Sequence, residues 1–335
     1  MVNFAIVGCG AITTVRHAPE CLKSDKINLS GVFDVDSERC RRVAELFGCK
    51  AYNTYDELLQ DESVDGVVIC VSNTYHCDMT VKALKHKKHV LCEKPIAVTL
   101  EEAELMINTA KAEDRYLMIA HNQRLCPTNR KVKELINSGK LGRIISFRTV
   151  FAHGGPEVWS VDKSSGTWFL NKTKAGLGAL GDIGIHKADL MRWLLEEEIK
   201  QVTSVVGTLD KKDAEGEPIS IEDNAFAILE TESGIIGTLE ASWTHYGRVS
   251  NEVELHCEKG IIKAIDEQWV TVCYKDGRET ETFEFSPTDS GIVEAFADSI
   301  INKLQPEISG EEGLKALAIV LACVESSNTR KRVEI

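Results

Sequence analysis

The chain has 335 residues, 43% of them apolar and 27% charged, with a formal net charge of -13. This length holds two ordinary domains, and the balance is that of a globular chain rather than a disordered one. The negative charge disfavours nucleic acid or an anionic membrane as partner, and no apolar stretch approaches the roughly 18 residues of a membrane span.

The first strand, "FAIV" (4–7), has no basic leader before it, so no signal peptide is expected. Short β-branched runs then alternate with helical patterns to about residue 122: "LSGVF" (29–33), "KAY" (50–52), "GVVICV" (66–71), "HVLC" (89–92) and "YLMIAH" (116–121). Thr54-x-x-Glu57 and Thr99-x-x-Glu102 have capping-box form, and Asp36 is placed to cap a helix that stops at Gly48. The basic stretch "KALKHKKH" (82–89) falls where a helix should end and reads as a solvated helix end. Near-continuous apolar strands alternating with helices predict a doubly wound parallel sheet covered on both faces.

After residue 123 the pattern changes. A helix "TNRKVKELINSG" leads to a strand at 144–151, a Gly/Ser/Lys-rich stretch and a helix at about 178–195. Strands follow at 201–207, 224–230, 235–243, 251–257, 261–265, 270–274 and 280–285, many alternating apolar with polar. Two helices close the chain, the last opened by Ser309-x-x-Glu312. The expectation is an N-terminal α/β Rossmann domain over 1–122 and an α+β domain over 123–335 built on a large, mainly antiparallel open sheet. The eleven cysteines form no CxxC and no zinc-finger spacing, and several lie in apolar runs. Scattered thiols in odd number point to a reducing cytoplasm.

Four stretches carry chemistry. The first strand runs into Gly8-Cys9-Gly10-Ala11-Ile12-Thr13, whose glycines allow a tight turn and let backbone N–H groups approach a pyrophosphate. The second strand ends in Asp34, an acid that can bind the ribose hydroxyls of NAD and would repel the 2′-phosphate of NADP. A glycine turn of some other α/β protein is the plain alternative. "SNTYH" (72–76) follows the strand 66–71 and is either a ligand-facing turn or an ordinary one, with Asn73 and Thr74 capping the next helix. In "VLCEKP", Glu93 can take the nicotinamide ribose hydroxyls and Lys94 the oxygen on the reacting carbon; a surface ion pair is the alternative. In "GLGALGDIGIHKADLMRWLL" (176–195), Asp182 and His186 are spaced i, i+4 with Asp189 one turn on. A His beside a carboxylate suits proton removal from an alcohol, whereas a metal site lacks further ligands at convincing spacing.

Together, in this order, these stretches closely resemble the Gfo/Idh/MocA oxidoreductase family, as do "EDNAFAILETESGIIGTLEASW" (222–243) and the terminal "ISGEEGLKALAIVLACVESS". The resemblance implies a Rossmann domain, an open-sheet domain that builds homodimers or homotetramers, and a site between them. It places the catalytic lysine, aspartate and histidine on Lys94, Asp182 and His186. It places cofactor contacts on Gly8, Gly10, Ile12, Asp34, Asn73, His76, Glu93, Asn122 and Arg124, with Ala11, Ser72 and Lys94 in the same turns. Thr13 stands where the family has a smaller residue, which puts local helix packing in doubt. The activity implied is NAD-dependent oxidation of a secondary alcohol of a sugar, inositol or related polyol. His186 would be the acid/base, Lys94 would polarise the oxygen, and Asp182 would orient substrate or His186. Arg124 and Trp168 join these three on the substrate side. Trp159 and Trp168, in the expected specificity segment 153–170, can stack on a sugar face or fill a domain interface. Two alternatives remain at this level: an enzyme that keeps and recycles its NAD, and an NAD-binding sensor without catalysis.

Overall fold

The computed structural model describes every residue except Asp162 and Pro287. Asp162 falls within the expected specificity segment, so that part of the expectation lies outside the described residues. The first half of the chain forms β1 (Val2–Val7), α1 (Ala18–Lys23), β2 (Ile27–Phe33), α2 (Ser37–Phe47), β3 (Lys50–Ala51) and α3 (Tyr55–Gln60). It continues through β4 (Gly66–Ile69), α4 (His76–Lys85), β5 (His89–Cys92), α5 (Leu100–Ala112) and β6 (Leu117–Ile119). β4 and β6 are wholly buried, as strands covered by helices on both faces must be. All six strands are parallel, in the order β3-β2-β1-β4-β5-β6. The order reverses between β1 and β4, which opens a crevice at the strands' carboxyl ends.

The sequence caps behave as their chemistry requires, with one change of register. Asp36 accepts from the N–H groups of Glu38 and Arg39, and α2 ends on Gly48 in the left-handed region. Thr54 and Thr99 accept from Glu57 and Glu102 N–H, but each glutamate reaches back one residue further than in a closed box, to Asn53 and Val98 N–H. The basic run 82–89 is not simply a solvated helix end. Lys82 pairs with Asp56 at the surface, whereas Lys88 turns inward and donates to the carbonyls of Asp61 and Val64.

The second half contributes α6 (Pro127–Asn137), β7 (Ile144–Ala152), α7 (Lys172–Ala175), α8 (Ile185–Leu195), β8 (Ile199–Gly207), β9 (Asn224–Thr231) and β10 (Ile236–Ser242). It ends in β11 (Ser250–Cys257), β12 (Gly260–Ile265), β13 (Trp269–Tyr274), β14 (Glu281–Glu284), α9 (Ile292–Asn302), α10 (Gly310–Thr329) and a short β15 (Val333–Glu334) that the sequence pattern did not announce. Nine strands form one sheet in the order β14-β13-β12-β11-β7-β10-β9-β8-β15. Only the β7–β10 pair in it is parallel.

The terminal helices tie the two sheets together. Phe296 of α9 stacks on Phe4 of β1 with centroids 5.4 Å apart, and Ile119 N–H donates to Ile308 O just ahead of α10. A division at residue 122 therefore describes chain order, while the packing units interlock. Ser309 does not close a capping box. Its hydroxyl donates to Glu311, and Glu312 turns inward to Arg124 and Arg192.

Candidate active site

Each strand of the first sheet that ends at the crevice delivers one expected group. After β1, Gly8 has φ +99°, and a Cβ there would lie 2.4 Å from Cys70 O, so only glycine fits. At Gly10 a Cβ would meet no described atom within 4 Å. Packing inside the chain does not explain that second glycine, whereas close approach of a phosphate group does. Ala11 and Ile12 follow in the same turn, and the helix then begins with a π-helical turn, Thr13–His17. Thr13 is fully buried and its hydroxyl donates to Gly8 O at 2.6 Å. The unusual residue at this position thus fastens the glycine turn rather than disturbing it.

Asp34, at the end of β2, accepts from Cys9 N–H (2.7 Å) and Asp36 N–H (2.8 Å), which fixes its carboxylate beside the glycine turn. Arg39 stands close, 3.6 Å from Asp34 and 3.2 Å from Asp36, so its charge is shared between two acids.

After β4, Ser72–Tyr75 neither cap α4 with a side chain nor make a plain turn. Asn73 donates to Ala175 O (2.9 Å) and Thr74 to Lys174 O (3.1 Å), so this stretch holds α7 of the other domain. His76 is fully buried between Pro95 O and Val71 O, at 2.7 and 3.1 Å. Burial keeps the ring neutral with a single N–H, so it donates to one of these carbonyls, and with both edges against backbone it positions the Glu93-Lys94-Pro95 turn. The expected direct contact is replaced by a supporting one.

After β5, Glu93 is buried and its Oε1 lies 2.7 Å from His17 Nε2. Burial alone would raise its pKa; the His17 hydrogen bond and the charges of His17, Lys94 and Arg16 outweigh that and hold it at about 2. Lys94 points across the crevice. Its ammonium donates to Asp182 O (2.7 Å) and Asp182 Oδ1 (2.8 Å).

The segment carrying Asp182 and His186 is a π-helical turn, Leu180–Gly184, running into α8. Its glycines serve internal packing: a Cβ on Gly178 would fall 1.9 Å from Glu222 O, and one on Gly184 would fall 3.1 Å from Ala241 Cβ. Glu222 holds the turn by accepting from Gly178 and Leu180 N–H, at 2.8 and 3.1 Å. Asp182 is 5% exposed and its second oxygen accepts from Trp243 Nε1 at 3.2 Å. Spacing suggested that Asp182 and His186 would act together. Instead Asp182 serves Lys94, and His186 Nδ1 has no partner among the described residues. Burial, then the charges of Lys94, His121, Arg16 and Lys187, push the His186 pKa well down, so the ring is neutral at neutral pH.

Arg124 departs from expectation. It is 3% exposed, donates to both oxygens of Asp189 (2.8 and 2.6 Å) and also pairs with Glu312. This buried cluster continues through Arg192 to Glu198. The guanidinium joins the first domain to α8 and α10, which leaves a direct role toward cofactor or substrate without support. Asn122 lies beside it, buried, at the start of the 3-10 turn Asn122–Leu125. Trp168 stacks on Phe169 (3.8 Å) and Phe169 meets Trp159 edge-on (4.8 Å), an aromatic cluster within the segment 153–170.

Three groups escaped the sequence reading. His153, one residue past β7, accepts Gly155 N–H at Nδ1 (3.0 Å), so Nε2 carries the proton, and it lies in the field of Asp182 and Lys94. His121, one residue before Asn122, is fully buried beside His186. Trp243 anchors Asp182 from the second sheet. Each sits just beyond a strand end, a position that could have flagged all three. Among the described residues no group of three His, Cys, Asp or Glu could hold a metal ion. No helix of these residues is long and apolar enough to cross a membrane. All eleven cysteines are unpaired.

A six-stranded Rossmann sheet facing an open mixed sheet, with a glycine turn and an acid placed for a dinucleotide, is the architecture of a two-domain oxidoreductase. The family models agree. Residues 2–121 match the oxidoreductase family with NAD-binding Rossmann fold, and residues 129–263 match the GFO/IDH/MocA C-terminal domain. The chain belongs to the GFO/IDH/MocA oxidoreductase family. It is 27% identical to myo-inositol 2-dehydrogenase of Thermotoga maritima, covering 100% of this chain and 98% of the relative. It is 29% identical to levoglucosan dehydrogenase of Pseudarthrobacter phenanthrenivorans, over 69% and 63% of the two chains. Among solved structures, aldose-aldose oxidoreductase from Caulobacter crescentus, complexed with glycerol, shares the fold. Its TM-score is 0.89 at 24% identity, over 100% of this chain and 99% of the other.

Proposed function

We propose that this oxidoreductase moves a hydride between NAD and a secondary alcohol or ketone of a sugar, inositol or related polyol. The observation that carries the reading is the Lys94–Asp182 couple, its aspartate on the same segment as His186, a neutral ring whose Nδ1 has no partner among the described residues. The nicotinamide, when bound, supplies the hydride acceptor. Gly8, Gly10, Ala11 and Ile12 would hold its pyrophosphate side, Asp34 its adenine ribose, and Glu93 its nicotinamide ribose, with Ser72 and Asn122 along the same edge.

The chain's own groups divide the remaining work. His186 takes the hydroxyl proton, and because its neighbours are mostly cations it reaches the neutral, accepting form without help from pH. Lys94 stabilises negative charge as it develops on the oxygen. Asp182, held by Trp243, fixes the ammonium by two hydrogen bonds. His153 offers Nε2–H to a further substrate hydroxyl, and the aromatic cluster of Trp159, Trp168 and Phe169 forms a wall for a sugar face. The names of the relatives, inositol and levoglucosan dehydrogenases, support an alcohol of this class. The fixed Asp34 carboxylate supports NAD over NADP, although one relative is D-xylose 1-dehydrogenase [NADP(+)] of Haloarcula marismortui. Exposed Val205, Phe226, Ile228 and Ile236 on the outer face of the nine-stranded sheet support pairing with a second copy of the chain. The unpaired thiols support a reducing cytoplasm.

A panel of sugars, inositols and polyols with NAD tests the reading. At least one should yield NADH at a rate abolished by His186→Ala, and free NADH should accumulate with a single substrate. NADH that forms but never leaves the protein would instead point to an internally recycled cofactor. Tight NAD binding with no turnover in either direction would leave a sensor.

A further inference from the structure

His121 follows β6 at the mouth of the crevice and has no exposed surface. Neither of its ring nitrogens has a partner among the described residues, and the same holds for His186 Nδ1. Buried polar atoms are rarely left so, because desolvating them without a partner is unfavourable, and three of them lie within two neighbouring rings. The ring centroids are 6.1 Å apart with planes at 85°. That spacing is beyond a direct hydrogen bond between the rings and within the span of one bridging water.

The charges around the two rings differ in sign. His186 lies among Lys94, His121, Arg16 and Lys187, contributed by the end of β5, the end of β6, the π-helical turn after β1, and α8. His121 lies among Asp189 and Glu93 as well as Arg124 and Lys94. Burial disfavours a proton on either ring; the charges that weigh most on His186 are cationic, whereas Asp189 and Glu93 are among those that weigh most on His121. Asp182 cannot take the proton away, because both of its oxygens already serve Lys94 and Trp243.

We infer that His121 is the second proton carrier of the site, receiving through a bridging water the proton that leaves His186 Nδ1. The inference rests on the alcohol oxidation proposed above. The substrate O–H bond breaks as an N–H bond forms at His186 Nε2, and the carbinol C–H leaves with its electron pair for the nicotinamide dinucleotide, the oxidant. The carbon becomes a carbonyl. The N–H bond at His186 Nδ1 then breaks and its proton passes to His121; once product leaves, His121 returns it to Nδ1 as Nε2 loses its proton to solvent in the crevice, which restores the starting tautomer. His121 touches neither reacting atom, so it acts by unloading His186.

Two variants test this: His121→Gln, which keeps a polar side chain, and His121→Phe, which fills the space. Nitrogen NMR of the histidines in NAD-bound protein should show His121 and His186 titrating in two coupled steps in the wild type. His186 should titrate alone in either variant. With any alcohol the wild type oxidises, kcat should fall about 100-fold while KM and NAD affinity hold, and added imidazole should restore part of the rate. An unchanged His186 titration in His121→Gln, or normal kcat in both variants, overturns the relay. The NMR arm needs no turnover, so the relay is decided even where no alcohol reacts. An inactive wild type defeats the dehydrogenase reading, whereas an active wild type with unaffected variants defeats the relay alone.

Discussion

Replacing Lys94 by methionine separates what the lysine does for the fold from what it does for the reaction. Methionine keeps much of the stem and removes the ammonium. Asp182, 5% exposed, then loses two hydrogen bonds made through its own Oδ1 and backbone oxygen and keeps only Trp243 Nε1. Stranding one member of a buried pair costs about 3–5 kcal/mol; Lys94 is 16% exposed along its side chain, so the lower end applies. The chemical step loses a preorganised cation, worth about two to three orders of magnitude in rate. NAD affinity should change far less, because the glycine turn and Asp34 hold the other end. The double variant Lys94→Met/Asp182→Asn removes both charges, so it should regain most of the stability and none of the rate. Urea unfolding, NAD titration and steady-state kinetics on the wild type and both variants decide the matter. A single variant with near-normal turnover, or a double variant that recovers activity along with stability, would refute the assignment of Lys94 to the developing oxyanion.

Asp34→Ala should weaken NAD binding about 10- to 100-fold, the value of hydrogen bonds to a charged group, and narrow the gap to NADP by releasing Arg39; calorimetric titration with both cofactors measures it. For alcohol oxidation the neutral His186 ring is the active form, so rate rises with pH through its pKa. Because burial and the neighbouring cations depress that pKa, the rise should end below pH 6.5, and His186→Ala should lose it along with most of the rate. Arg124→Met should lower the unfolding free energy by about 3–5 kcal/mol, since it strands Asp189 and leaves Glu312 with Arg192 alone, with little change in KM once the variant is folded. A large KM effect on a stable Arg124 variant would restore it to the substrate side.

The parallel first sheet, the crevice and the strand ends were legible because they follow from local rules: apolar runs, glycine turns, capping residues and the alternation of strand with helix. Gly8, Asp34, Glu93 and Lys94 came with them, each fixed by its place after a strand. What the sequence hid depends on partners distant along the chain. Asp182 and His186 are neighbours by helical spacing, yet Asp182 is claimed by Lys94, 88 positions earlier, and by Trp243, 61 positions later. His76 and Arg124 look like crevice residues until Pro95, Asp189 and Glu312 are seen to occupy their polar edges. Gly178 and Gly184 are explained by neighbours far along the chain, Glu222 beside the first and Ala241 beside the second. His121 shows the reverse: the sequence pattern reads it as the last residue of a strand, and its place past the end of β6 and its burial without a partner appear only in the packed structure. Polar satisfaction is a property of the packed structure, so spacing alone cannot assign it.

The central claim is direct hydride transfer from a carbinol carbon in the crevice lined by Lys94, Asp182 and His186. A mixture of sugars and polyols deuterated on carbon, incubated with the protein and NAD, tests it whichever of the compounds reacts. Mass analysis of the recovered cofactor should find deuterium on the nicotinamide ring, and the label should vanish with His186→Ala. Reduced cofactor without label, or protein that binds NAD and leaves it oxidised with every compound, would contradict the account.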